Sequence, residues 1–122
     1  KKYDEAFASM PEIKIPAVCV NGRHARHLYT ILLMTEKLKV TRNDFAGLLQ
    51  EENIGTGIHF GALHLQSFYR KNRGYNKGDF PNAEYISDRT LSLPLTPKLT
   101  ESDVESVISA VKYLIENNYK RK

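Results

Sequence analysis

One cysteine, Cys19, is all the thiol chemistry in 122 residues. An intramolecular disulfide is therefore excluded, nothing argues for an oxidising compartment, and a buried free thiol is the default reading. Long apolar runs are missing as well. No stretch approaches the about 20 residues that a membrane span requires, and the opening KKYDEAFASMPE lacks the continuous apolar centre of a secretory signal. A cytoplasmic protein without a membrane partner is expected. The chain starts with Lys1 and not methionine, which suggests a piece cut from something longer. Internal repeats and low-complexity tracts are lacking too.

A one-sided charge is also lacking. Eighteen Lys and Arg against fourteen Asp and Glu give a formal +4, but Lys1, Lys2, Lys120, Arg121 and Lys122 sit at the two ends. The only internal cation cluster is Arg70, Lys71, Arg73 and Lys77. A nucleic-acid footprint calls for a larger patch or stripe, so no nucleic-acid partner is expected. Nor is there a metal-ligand set. His24 and His27, three apart on an expected strand, face opposite ways, and no Cys or acidic cluster completes a tetrahedral site.

What remains is enough for one domain, which at this size buries roughly two thirds of the surface of its unfolded chain. Residues 1–12 carry the end of a helix that must stop before Pro11. After Gly22, the run from Arg23 to Met34 reads as a central strand whose second half is apolar on both faces. Thr41, Asp44 and the stripe Phe45, Leu48, Leu49 write a helix with its cap, and Asn53 suits a left-handed exit. Gly47 inside that helix suggests close packing, since glycine there costs about 1 kcal/mol relative to alanine.

Ile54 to Phe60 alternates as a strand, with Ile54, Thr56, Ile58 and Phe60 on one face and Gly55, Gly57 and His59 on the other. The glycine face leaves room for something to approach. RGYNKGDFPN is turn chemistry, Pro81 opens a short helix through Ser87 and Arg89, and Leu91 to Leu95 is a strand that Pro94 confines to an edge or a bulge. Thr100 and Asp103 cap a last helix with the stripe Val104, Val107, Ile108, Val111, Leu114, Ile115. The fold class expected is α+β, a small antiparallel sheet with helices packed on it.

The segment from Gly55 to Gln66, GTGIHFGALHLQ, is the candidate site wall. His59 and His64 suit general acid–base work because imidazole titrates near neutral pH. They suit better still a pair of partly buried side chains hydrogen-bonded to backbone. No nucleophile with its base and orienting acid can be identified, so no catalytic residue is assigned.

The order of the blocks carries more than any one residue. HARHLYTILL, then VTRNDFAGLLQEENIGTGIHFGALHLQSFYR, then GYNKGDFPNAEYISDRTLSLPLTPKLTESDVESVI resembles the C-terminal domain of the DegT/DnrJ/EryC1/StrS sugar-nucleotide aminotransferases, over about Ile13 to Leu114. Within the family it looks nearest to the branch that includes the UDP-4-amino-4-deoxy-L-arabinose aminotransferase. The resemblance implies that residues 1–122 are the single small domain of a fold-type-I enzyme, whose large domain, absent here, holds pyridoxal 5'-phosphate (PLP) and the Schiff-base lysine. It implies transfer of an amino group from glutamate to a nucleotide-linked keto sugar for cell-surface polysaccharide biosynthesis, in a full-length homodimer. This chain alone would be inactive and would bind no cofactor.

By the same resemblance His59 and Phe60 match a His-aromatic pair that faces the sugar nucleotide, while His64 and Tyr69 fall at the pocket rim. Arg26 stands where some relatives carry tryptophan and Asn53 where glycine is usual. Two other classes compete with the enzyme reading: a stand-alone nucleotide-sugar-binding module without catalysis, and an interaction domain acting through Arg70 to Lys77.

Overall fold

The computed structural model describes residues 1–17, 20–22 and 24–118. Cys19, expected to be a buried thiol, lies outside the described residues. Helix α1 (Lys2–Phe7) stops ahead of Pro11, as the proline requires, and turns Tyr3 and Phe7 inward. Strands β1 (Ile13–Lys14), β2 (Tyr29–Leu33) and β3 (Thr90–Leu93) form an antiparallel sheet in the order β1-β2-β3. The strand expected from Arg23 is central but much shorter. Ladder partners explain why: β3 reaches only as far as Tyr29, and β1 meets only Leu32 and Leu33. Without a neighbour to hydrogen-bond, residues 24–28 stay irregular, with Arg26 at a φ of 54°.

The two faces of this sheet do different things. Tyr29 pairs with Leu93 and Ile31 with Leu91, and these join Leu33 in the core. On the other face Thr30 pairs with Ser92 and Leu32 with Thr90. Thr30 and Leu32 are half-buried while Thr90 and Ser92 are buried, so this side is polar and partly covered rather than apolar. The second half of β2 does carry apolar residues on both faces, Ile31 and Leu33 on one and Leu32 on the other, and the polar character comes from Thr30 and from β3.

Helix α2 (Arg42–Glu51) carries the capping box its sequence announces. Thr41 Oγ1 accepts the Asp44 N–H at 3.2 Å, and the Asp44 carboxylate accepts the Thr41 N–H at 3.0 Å. Phe45 and Leu49 are fully buried; each such side chain contributes about 1.5–3 kcal/mol by leaving water. Asn53 exits with a φ of 60°, as expected. Gly47 is different. It is exposed and a Cβ there would meet nothing within 4 Å, so close packing is not the reason for glycine.

The alternating stretch Ile54 to Phe60 does not become a strand. Only Gly57 pairs, through an isolated bridge to Ser92 on the open edge of β3. Past Ile54, which reaches the core, the alternating pattern has no layer to bury it, since Ile58 and Phe60 are 43% and 75% exposed. Two elements follow that the pattern left unread: a 3-10 turn at Leu63–Leu65 and helix α3 (Ser67–Arg73), ended by Gly74 at φ 70°. Helix α4 (Pro81–Ser87) starts on Pro81 as expected.

Pro94 sits just beyond β3 at the sheet edge, its carbonyl accepting the Tyr3 O–H at 3.0 Å. Helix α5 (Glu101–Asn118) is capped by Thr100 and Asp103. It buries Val107, Val111, Leu114 and Ile115 against α1 and α2, with Val104 and Ile108 packed at the margin. Among the described residues no helix is long and apolar enough to cross a membrane.

Candidate functional site

The segment 57–66 is fastened at three points to the polar sheet face and to α4. The first is the Gly57–Ser92 bridge, in which each backbone N–H donates to the other's carbonyl at 3.1 and 2.7 Å. A Cβ at Gly57 would collide with the His59 imidazole. The room that the glycine makes is thus taken by the chain's own histidine. The second point is His59 Nδ1, 2.9 Å from Ser92 Oγ, which lies 3.1 Å from Thr30 Oγ1. Thr90 Oγ1 donates to the His59 carbonyl at 3.3 Å. The third is the Ala62 N–H, which donates to Ser87 Oγ at 2.9 Å.

These bonds set what His59 can do. A serine hydroxyl both donates and accepts, so Nδ1 can be either partner and Nε2 can be acceptor or donor toward a ligand. The Phe60 ring stands edge-on to this imidazole, centroids 5.0 Å apart and planes at 84°, and is three-quarters exposed.

His64 has a different environment. It is buried, and its Nε2 lies 2.9 Å from Glu84 Oε1, the same oxygen that accepts the Gly78 N–H at 2.7 Å. The Gly78 hydrogen bond first, and the His64 bond after it, hold the Glu84 carboxyl below the usual carboxylate range. An ionised carboxylate only accepts, so the shared proton sits on His64 Nε2. Phe80 covers the imidazole at 4.8 Å and Tyr75 meets Phe80 edge-on at 5.4 Å.

Leu63, His64, Tyr69, Tyr75, Phe80 and Ala83 enclose an open cavity of about 330 Å³. Of the four residues singled out from the sequence, His64 and Tyr69 therefore share a wall. His59 and Phe60 stand apart from that cavity. Sequence reasoning missed the groups that hold the histidines: Ser92, Thr30, Glu84 and Ser87. One signal was available, because Glu84 and Ser87 are three apart on an expected helix and so share a face.

The other histidines do not lie on a strand; both are exposed, and His24 Nδ1 accepts the Arg26 N–H at 2.9 Å. Among the described residues no three His, Cys, Asp or Glu side chains gather as metal ligands. The residues present do not fit PLP either. A Schiff-base lysine needs a sheltered cavity, whereas no described lysine is buried, and Lys39 and Lys71, which do line cavities, are exposed.

The model of the DegT/DnrJ/EryC1/StrS aminotransferase family matches residues 1–112. The chain is 45% identical over 118 residues to "Uncharacterized protein MJ1066" of Methanocaldococcus jannaschii, covering 97% of this chain and 31% of that protein. It is 42% identical over 116 residues to the spore coat polysaccharide biosynthesis protein SpsC of Bacillus subtilis, covering 94% and 30%. Its fold is similar to Spr1654 from Streptococcus pneumoniae, solved in a PLP-form, with a TM-score of 0.83 at 28% identity over 95% of this chain and 29% of that one. The chain thus spans about a third of the length of the curated relatives it matches.

Proposed function

The chain belongs to the DegT/DnrJ/EryC1/StrS aminotransferase family, and from that premise we propose that it is the C-terminal small domain, the substrate-side part, of a PLP-dependent sugar aminotransferase. The large domain lies in the two thirds of the relatives' length that this chain does not span. That part supplies PLP, which when bound acts as electron sink and amino-group carrier. The reaction is transfer of the amino group of glutamate to a keto carbon of a nucleotide-linked sugar. The whole protein is a cytoplasmic homodimer serving cell-surface polysaccharide synthesis, a setting that the name of the Bacillus relative supports.

Within this chain the work is binding and orientation. His59, its Nδ1 occupied by Ser92, offers Nε2 to a sugar hydroxyl or phosphate oxygen. Phe60 covers an apolar face of the sugar, and His64 and Tyr69 form the rim. The observation that carries this reading is the pairing of an exposed phenylalanine with an imidazole pinned by a buried serine. Folding alone does not reward the exposed ring, which gains little from burial, and the Ser92 bond leaves the imidazole fixed beside it.

The test is made on the longer protein. Glutamate should convert its bound cofactor to the amino form, followed by absorbance, and a keto-sugar nucleotide should convert it back. His59→Ala and Phe60→Ala should then raise KM for the sugar nucleotide. A protein that takes no amino group from glutamate overturns the reading. Calorimetric binding of sugar nucleotides by a protein without PLP would put the stand-alone binding module in its place.

A further inference from the structure

Among the described residues Arg26, Arg42 and Arg89 are the half-buried arginines. Two of them have a carboxylate, Arg26 with Asp4 at 3.2 Å and Arg89 with Glu36 at 3.4 Å. Arg42 has none among the described residues. Its Nη1 donates to the Thr90 carbonyl at 3.0 Å and its Nε is buried without a partner, which leaves Nη2 with no bond to a described residue. Burial pushes this guanidinium down from the ordinary arginine range, and the charge of Asp88 opposes the shift from beyond ion-pair distance. A partly desolvated cation without a counter-ion costs the fold stability.

Arg42 borders a cavity of about 510 Å³, in the size range of small-molecule sites. Lys39 and Asp88 line the same space; both are exposed, and neither side chain makes a hydrogen bond or ion pair among the described residues. Leu38, buried, and Val40, half-buried, add an apolar wall, and Thr35 adds a hydroxyl. The polar groups around the opening are already taken. Glu36 faces Arg89, Lys37 Nζ donates to the Pro11 carbonyl at 2.9 Å, and the Asp44 carboxylate closes the first turn of α2 on the Thr41 N–H. The helix end therefore contributes no anion site of its own. What the cavity presents is two cations, one carboxylate and an apolar wall.

We infer that this cavity binds a free α-amino acid with an apolar side chain, its carboxylate on Arg42 and Lys39, its ammonium on Asp88 and its side chain against Val40. Such a ligand carries both charges on one carbon. It can therefore bridge a guanidinium and a carboxylate that border one opening without meeting each other. The hydrogen bonds at both ends are charge-assisted and so stronger than neutral ones. A carboxylic acid alone would meet repulsion from Asp88, and an amine alone would leave Arg42 without its counter-ion. The inference does not rest on the aminotransferase reading, since it uses only groups of this chain outside the stretch 57–66.

Calorimetric titration of leucine into this chain tests it, beside 4-methylpentanoate, which is leucine without its ammonium, and 3-methylbutylamine, which lacks the carboxylate. Leucine should bind, and each partial ligand should bind about tenfold more weakly or worse, the size expected for losing a hydrogen bond to a charged group. Asp88→Asn should abolish the preference for leucine over 4-methylpentanoate. Lys39→Ala should weaken leucine and 4-methylpentanoate by about threefold, because an exposed ion pair is worth less, and leave 3-methylbutylamine unchanged. Both substituted residues are exposed, so both variants should fold. Lys112→Ala, which removes an exposed cation on α5, is the control and should change nothing.

No binding of leucine, by heat or by NMR shifts of the Val40 methyl groups, overturns the site. So does leucine binding that ignores both Asp88→Asn and Lys39→Ala. Glutamate that binds as tightly as leucine overturns the role of the apolar wall and with it the class of ligand. Failure of the aminotransferase reaction in the longer protein leaves this site standing, and failure of leucine to bind leaves that reaction standing.

Discussion

Five phenylalanines divide the molecule in two. Phe7 and Phe45 are 0% exposed among the helices and the apolar sheet face, while Phe60, Phe68 and Phe80 are 75%, 64% and 45% exposed in the stretch 57–80. The same side chain is used in one region to exclude water and in the other to meet it. In the first region hydrophobic burial is spent on the fold. In the second, polar tethers do the holding: Ser92 for His59, Glu84 for His64 and Ser87 for the backbone at Ala62. The rings are thereby left at the surface on a backbone that is nonetheless fixed, an arrangement suited to binding.

The comparison breaks first in the core. Phe45→Ala should cost about 3–5 kcal/mol, the transfer of a large ring plus the cavity left behind, read as a lower midpoint in denaturant unfolding. A loss below about 1 kcal/mol would mean that α2 is not part of the core as described. The next effect belongs to the seam between the regions. Ser92→Ala removes one hydroxyl from between Thr30 and His59, and should cost about 1–2 kcal/mol because the groups left behind lose a partner. It should also broaden the His59 ring signals in NMR. An unchanged ring with lowered stability would make Ser92 a sheet residue only.

How far each region was legible from sequence follows the range of its interactions. Thr41 with Asp44 and Thr100 with Asp103 are three residues apart, and both caps form as read. The stripes of α2 and α5 find the core because a 3.6 period needs no knowledge of the partner. The strand expected at Ile54 to Phe60 depended on a neighbour that alternation cannot reveal. β3 already has β2 on one edge, and on the other only Gly57 engages. The site was legible as a segment and not as a geometry, since its tethers span 20, 25 and 33 residues of chain.

Smaller effects sharpen the boundary. Thr100→Ala should cost about 1 kcal/mol through the lost cap of α5, by thermal unfolding, without disturbing the stretch 57–80. Glu84→Gln tests the tether of His64 by its pH dependence. The Glu84 carboxyl is held below its ordinary value of 4.5, by the Gly78 N–H first and by His64 after it. A depressed carboxyl stabilises the fold fully above the unfolded value and ceases to do so as pH falls through the folded one. The unaltered chain should therefore lose stability below pH 4.5, and the Glu84→Gln variant should show a flatter acid limb over that same interval. Equal slopes would mean that the Glu84 carboxyl binds protons alike folded and unfolded, and that neither Gly78 nor His64 holds it down.

Phe60→Ala carries the smallest stability effect and the sharpest form of the comparison. Its ring is three-quarters exposed and touches the His59 imidazole edge-on, so truncation removes little buried surface. The cost should stay within about 0.5 kcal/mol, the range of surface substitutions that break no cap, cavity or ion pair. Set beside Phe45→Ala, the same chemical change would differ several-fold in its effect on folding. Function should invert that order. On the function proposed above, Phe60→Ala in the longer protein should raise KM for the sugar nucleotide, while the cofactor's reaction with glutamate, which needs no sugar, would report whether the rest of that enzyme is intact. A large stability loss would instead mean that the Phe60 ring holds the fold of this chain through its contact with His59, and that the ring serves the fold before it serves a ligand.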